Sequence, residues 1–142
     1  MPLKLLQPHF FCDKTLLKLA RYLRFAGFDT LVRQDYSYEK IAQICKKEKR
    51  IFLTRNKCLK KRLFPLDLII IIEHEIYLQQ IQFVISIFPV HNKLIASRCI
   101  LCNRVLVQDT ANNTITFCRK CKKKYWQGSH YNMMLKAING KI

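Results

Sequence analysis

Apolar positions along the chain change period in a repeating way. Residues 9–13, HFFCD, form a short apolar run ending on an acid, which predicts a buried strand closing at Asp13. The next stretch, KTLLKLARYLRFAG (14–27), brings Leu16, Leu19 or Ala20, Leu23 and Ala26 to one face at helical spacing and ends on Gly27. Residues 29–33 predict a second strand. Ser37 then reads as the N-cap of a helix over 38–48 with Ile41, Ile44 and Cys45 inward. RIFLT (50–54) predicts a third strand, and DLIIII (67–72) a fourth without alternation, as suits a sheet covered on both faces. A last core helix is expected over 75–88, closed by Pro89. Strands alternating with helices predict an α/β fold around a parallel sheet.

From about residue 90 the pattern changes. CILC (99–102) and CRKC (118–121) give the spacing C-x2-C-x15-C-x2-C. Two such pairs bring four thiolates around one ion, and the short alternating runs RVLVQ and NTITF between them predict two strands joined at TANN. A zinc ribbon follows, with Cys99, Cys102, Cys118 and Cys121 holding a structural Zn²⁺. Disulfides are disfavoured in a reducing compartment, and so small a unit needs a staple. The expected division is an α/β domain over residues 1–90 and a ribbon with a basic, aromatic tail over 91–142. Cys12 and Cys45 read as buried small hydrophobes, while Cys58 sits in a mixed setting.

Composition bounds the function. With 142 residues, 50% of them hydrophobic, the chain suffices for one compact domain and a small appendage. Its longest apolar run, Leu68 to Ile72, falls far short of the roughly 20 residues of a membrane helix. The first residues are broken by Lys4, Gln7, Pro8, His9 and Asp13 and lack the core of a signal peptide, so a cytoplasmic protein with no membrane partner is expected. Lys and Arg number 26 against 9 Asp and Glu, a net +17. Residues 91–142 alone hold 10 bases and one acid, Asp109. A polyanion is the partner such a balance suggests, RNA or DNA rather than lipid, although charge of this kind also serves solubility.

In an open parallel sheet, ligands bind outside the carboxyl ends of the strands. Asp13, the turn at Gln34 to Asp35, and Asn56 fall at such ends. The available acids, Asp13, Asp35 and Glu39, are candidates to hold Mg²⁺ or Mn²⁺, which polarises a phosphate and activates water for phosphodiester cleavage. Asp13 also reads as a helix cap or turn former, and Asn56 as a turn residue or the N-cap of a helix over 57–63. Lys14, Lys18 and Arg21, with Arg55, Lys57, Lys60, Lys61 and Arg62, form either a phosphate-gripping rim or a solvated face. In the tail, five bases flank Tyr125 and Trp126, a mix used on single-stranded nucleic acid. Trp126 has the alternative of sealing the ribbon, and His130 either touches RNA or makes a structural hydrogen bond.

The strings FFCDKTLLKLARYLRFAGFDT and RIFLTRNKCL, followed by the two CxxC pairs and KKKYWQGSHY, resemble the Mut-seven C-terminal RNase domain family, over roughly residues 8–135. The resemblance implies a PIN-like, three-layer parallel sheet fused to a zinc ribbon, and a metal-dependent ribonuclease with acids at the strand ends. Asp13 matches the first acid. The family continues LTR with Asp, where this chain has Asn56, and starts its second helix with Ser-Asp, where this chain has Ser37 and Tyr38 with Glu39 one step later. One residue along a helix is about 100° of rotation. The resemblance therefore implies a weakened site: Asp13 as principal metal ligand, Glu39 or Asp35 as a second, Asn56 as a neutral one. The other outcomes are a catalytically inactive RNA-binding module and a zinc-ribbon adaptor for a protein partner.

Overall fold

The computed structural model describes residues 7–61 and 63–140. Four parallel strands, β1 (His9–Cys12), β2 (Thr30–Leu31), β3 (Arg50–Thr54) and β4 (Ile69–Ile71), lie in the order β2-β1-β3-β4. Helix α1 (Leu17–Phe25) links β1 to β2, α2 (Tyr38–Glu48) links β2 to β3, and α3 (Tyr77–Ile87) follows β4. The expected α/β fold around a parallel sheet is borne out.

The unbroken HFFC run has a simple cause, since both faces of β1 are buried. Phe10 and Cys12 enter a core with Leu19 and Leu23 of α1 and Ile81 and Val84 of α3. Phe11 faces the other way, with Phe52, Ile69 and the Ile41, Ala42 and Cys45 stripe of α2. The sheet is thus the middle of three layers. Cys12 and Cys45 are buried, as expected of small hydrophobes.

Local chemistry trims the elements. Helix α1 starts at Leu17 because Asp13 caps a 3-10 turn over Lys14–Leu16 first, Oδ1 accepting from the Lys14 N–H at 2.9 Å. Ser37 caps α2 as expected, its Oγ accepting from the Lys40 N–H. The segment after β3 winds as a 3-10 helix over Lys57–Lys61 in place of an α-helix. Pro65 starts another 3-10 turn over Leu66–Leu68, which leaves only three residues to β4.

Beyond α3 the chain leaves these layers and forms a small antiparallel sheet in the order β5 (Val107–Gln108), β6 (Thr116–Phe117) and β7 (Lys124–Tyr125). The first two were expected and the third was not, because Lys124–Tyr125 is hidden inside a basic run. It then returns as α4 (Ser129–Ile138), which reads as tail in the sequence but buries Met134, Ala137 and Ile138 against α1 and α3. Tyr131 packs edge-on to Phe25, ring centroids 5.3 Å apart.

Hydrogen bonds tie the excursion to the sheet. Arg24, 3% exposed, donates from Nε to the Thr30 carbonyl and from Nη1 to that of Ile100. Asn103 accepts from the Thr30 N–H at 2.8 Å and donates to Asp29 at 2.7 Å. Asp29 is also ion-paired to the buried Arg50 at 2.9 Å. Gly27, at φ +101°, lets the chain turn where an added Cβ would lie 2.6 Å from both the Cβ and the carbonyl oxygen of Leu94.

Candidate functional site: a strand-end crevice and a cysteine cluster

The strand order reverses between β1 and β3, since β1 connects outward to β2 while β3 continues to β4 on the other side. At such a switch point two successive connections leave the sheet on opposite faces and open a crevice at the carboxyl ends. Asp13 stands there, one residue past β1, and its backbone N–H bonds to the Leu53 carbonyl of β3. The carboxylate is 5% exposed. Its Oδ2 accepts from the Thr54 hydroxyl at 2.7 Å and from the Tyr38 hydroxyl at 3.2 Å. With Oδ1 occupied by the Lys14 N–H, every oxygen of Asp13 is engaged by the protein.

Asn56 closes the same corner. Its N–H donates to the Thr54 Oγ1 at 3.0 Å, and its Oδ1 accepts from the Cys58 N–H, the geometry of an Asx turn. The Tyr38 phenol is raised above its ordinary value, first by burial and then by the Asp13 charge and hydrogen bond, while Asn56 opposes the shift. It stays protonated, and therefore a donor, at neutral pH. Tyr38 thus bonds Asp13 directly, and Asn56 is linked to it through the Thr54 hydroxyl.

The other candidate acids do not complete a cluster there. Glu39 is exposed in the first turn of α2, and Asp35 is exposed in the bend before it; neither makes a hydrogen bond or ion pair with a described residue. Among the described residues, the one group of three or more His, Cys, Asp or Glu placed to share an ion is made of cysteines.

That group is Cys99, Cys102, Cys118 and Cys121, whose Sγ atoms all lie within 4.8 Å of one another. Each CxxC pair forms the same tight loop. The Asn103 N–H returns to the Cys99 carbonyl at 2.9 Å and the Lys122 N–H to that of Cys118 at 2.8 Å. Both closing residues are left-handed, at φ 76° and 61°. The clustered thiols hold their protons unequally: burial pushes Cys118 up, but the Cys121 N–H, the Cys102 thiol and the Lys120 N–H outweigh it and lower it to about 7, while bonds to Cys102 and Cys99 push Cys121 up to about 12. The Tyr125 hydroxyl lies 3.2 Å from Cys99 Sγ, so this ring supports the cluster and is withdrawn from stacking. Four soft sulfur donors at this separation fit a tetrahedral ion such as zinc.

The candidate RNA-contacting residues fall in separate places. Lys14 and Arg21 are exposed, while Lys18 lies over the Tyr77 ring at 3.7 Å. Arg55 donates to the His74 carbonyl and Lys57 pairs with Glu73 at 3.6 Å, so both are partly committed. Arg62 and the side chains of Lys60 and Lys61 lie outside the described residues. Trp126 is 63% exposed and does not seal the ribbon. His130 is exposed in the first turn of α4.

The family model of the Mut7-C RNAse domain matches residues 8–138. The chain belongs to that family. No curated protein and no solved structure matches it. As a Mut7-C domain it is nuclease-like and RNA-related, with a four-cysteine cluster able to hold a metal ion. Among its described residues no helix is long and apolar enough to cross a membrane. Sequence reasoning about this Mut7-C domain missed Thr54 and the inward turn of Tyr38. The signal for Thr54 was available, as the last β3 residue, whereas Tyr38 needed the β1–α2 distance.

Proposed function

We propose that this Mut7-C domain binds single-stranded RNA without cutting it, a nuclease framework whose hydrolytic site is closed by Tyr38 and Asn56. The observation that carries the reading is the engagement of Asp13 Oδ2 by two hydroxyls, Thr54 at 2.7 Å and Tyr38 at 3.2 Å. A divalent cation bound there has to displace the Tyr38 donor and finds one carboxylate and a neutral amide. Mg²⁺ and Mn²⁺ are hard ions that need oxygen ligands and charge, so a site with a single carboxylate attracts them weakly. Glu39 and Asp35, each without a described partner, stay in solvent. The basic surface holds the backbone phosphates, and the exposed Trp126 ring offers a stacking face. In the same reading the four cysteines hold a structural Zn²⁺, and their reduced state suits the cytoplasm.

The test is a labelled single-stranded RNA incubated with Mn²⁺ and, separately, assayed by gel shift. The wild type should shift the RNA and leave it intact. The double variant Tyr38→Asp with Asn56→Asp should gain Mn²⁺-dependent cleavage, which adding Asp13→Ala abolishes. Cleavage by the wild type that Asp13→Ala removes would overturn the closed-site reading, and absence of any shift would overturn RNA binding itself, leaving a protein partner for the ribbon.

A further inference from the structure

A second concave surface opens where the cysteine cluster meets the sheet. It is a cleft of about 440 Å³, within the range of ordinary ligand sites. Arg33 and Gln34, just past β2, form one side. Leu101 and Cys102 of the first CxxC loop, with Lys120 of the second, form the other, and Arg24 of α1 completes the wall. No acidic side chain is among the residues that line it.

Arg24 marks this cleft as more than a gap. It is buried at 3% exposure and makes no ion pair with a described residue. Its Nε and Nη1 are spent on the Thr30 and Ile100 carbonyls, and Nη2 has no described partner. Burial lowers its pKa, and the Cys12, Cys102 and Cys99 sulfurs act against that shift. A four-thiolate centre holding a divalent ion carries a net charge of about −2, which Arg24 offsets from the sheet side. Arg33 and Lys120 are exposed and engage no acid among the described residues. Arg33 donates only to the Val32 carbonyl next to it. Beside them Leu101, 47% exposed, offers an apolar shelf. Two cations without an acidic partner among the described residues, Arg33 with its guanidinium 6.0 Å from the Tyr36 ring centroid and Lys120, join an amide and an apolar shelf around a guanidinium floor, the donors and contact surface that a phosphodiester with its sugar requires.

We propose that this cleft holds a backbone phosphate of the bound RNA, with Arg33 and Lys120 as its direct contacts and Arg24 offsetting the Cys102 sulfur in the same wall. The inference rests on the RNA-binding reading above and assigns it a path. β2 is the neighbour of β1, so the turn after β2 and Asp13 stand side by side on the carboxyl edge of the sheet. An RNA strand that enters at the ribbon junction is thereby led along the edge toward the Asp13 corner. The ribbon contributes one wall of the binding site as well as its fold.

The experiment compares wild type, Arg33→Ala with Lys120→Ala, and a control pair, Lys46→Ala with Lys47→Ala, exposed on α2. Fluorescence anisotropy of a short single-stranded RNA is read across a salt series, and metal affinity by chelator competition. The cleft pair should weaken binding at least about tenfold and flatten the log-affinity against log-salt slope by about 0.7, the value for one lost phosphate contact on a single strand. The control pair should do neither. RNA binding that survives the cleft pair unchanged overturns the cleft and leaves the RNA reading standing, whereas a wild type that binds no RNA overturns both. A cleft pair that lowers metal affinity and not RNA affinity shows that these cations only balance the thiolates and overturns the proposal. A mononucleotide that binds as tightly as the oligomer also overturns it, since the ligand is then a free nucleotide.

Discussion

The Tyr38 hydroxyl lies 3.2 Å from Oδ2 of Asp13 and donates to it, joining the first residue of α2 to the end of β1 across the crevice. Burial and the Asp13 charge both raise the phenol, so its ionisation should be seen above that of an ordinary tyrosine in ultraviolet titration. Asp13→Asn should bring it back down. Because the folded value is raised, this contribution to stability is complete below about pH 10 and is lost as pH rises through the folded value. Tyr38→Phe should remove that part of the alkaline loss and cost about 1 kcal/mol at neutral pH, measured by urea unfolding.

Asp29 behaves in the opposite sense. Burial alone would raise its carboxyl, but hydrogen bonds from Arg50 and Asn103 outweigh it and hold the group below the usual range. Stability from this group is present above about pH 4 and is lost as pH falls through the folded value. Asp29→Asn should flatten the acid limb of the stability curve. At neutral pH it should cost about 2 kcal/mol, because the buried Arg50 loses one of its two ion partners and keeps Glu48 and the Phe10 carbonyl.

Asn103→Gly separates conformation from bonding. Glycine keeps the left-handed turn at φ 76° but removes both side-chain bonds to the Thr30 and Asp29 positions. The cysteine cluster should keep its metal in chelator competition, while amide exchange at Thr30 speeds up. Loss of metal affinity would mean that the junction and the cluster are one cooperative unit.

Gly27→Ala should be among the more damaging small substitutions. The φ of +101° is unfavourable for any side chain, and the new methyl meets the Leu94 carbonyl at 2.6 Å, an atom of backbone that cannot rotate away. A loss of about 2 kcal/mol or more is expected in thermal or urea unfolding.

The seven cysteines should fall into three classes with a thiol reagent. Cys58 is exposed and should react first in the metal-loaded protein. The four clustered thiols should become reactive when a chelator removes the ion. Cys12 and Cys45 are buried, burial pushing the Cys45 thiol up to about 12 and Cys12 higher still, and should react only on unfolding.

Much of the frame was legible because its signals are local. The boundaries of α2 and β3 follow from Ser37 and from an apolar run bounded by Lys49 and Arg55. The four cysteines follow from spacing alone. What stayed hidden depends on distance through space. Nothing in SHYNMMLKAI says that Met134 and Ile138 have a partner, because the apolar faces that receive them belong to α1 and α3, far earlier in the chain. The crevice has the same character. Asp13 and Asn56 are visible as strand-end residues, whereas the place beside Asp13 goes to Tyr38, and not to Glu39 or Asp35, through an inward turn that no local pattern signals.

The return of α4 to the α1–α3 layer sets an order on assembly. The last helix of the core is synthesised only after both CxxC pairs, so while the chain emerges the apolar surface meant for Met134, Ala137 and Ile138 stays open until the cysteine segment has been made. On the reading that the four cysteines hold an ion, its capture shortens the loop that α4 must close, and a shorter loop costs less entropy to close. Metal supply during translation thereby becomes a determinant of how long that surface is exposed, and cells starved of the ion should accumulate this chain in aggregates before any effect on mature, loaded protein is seen.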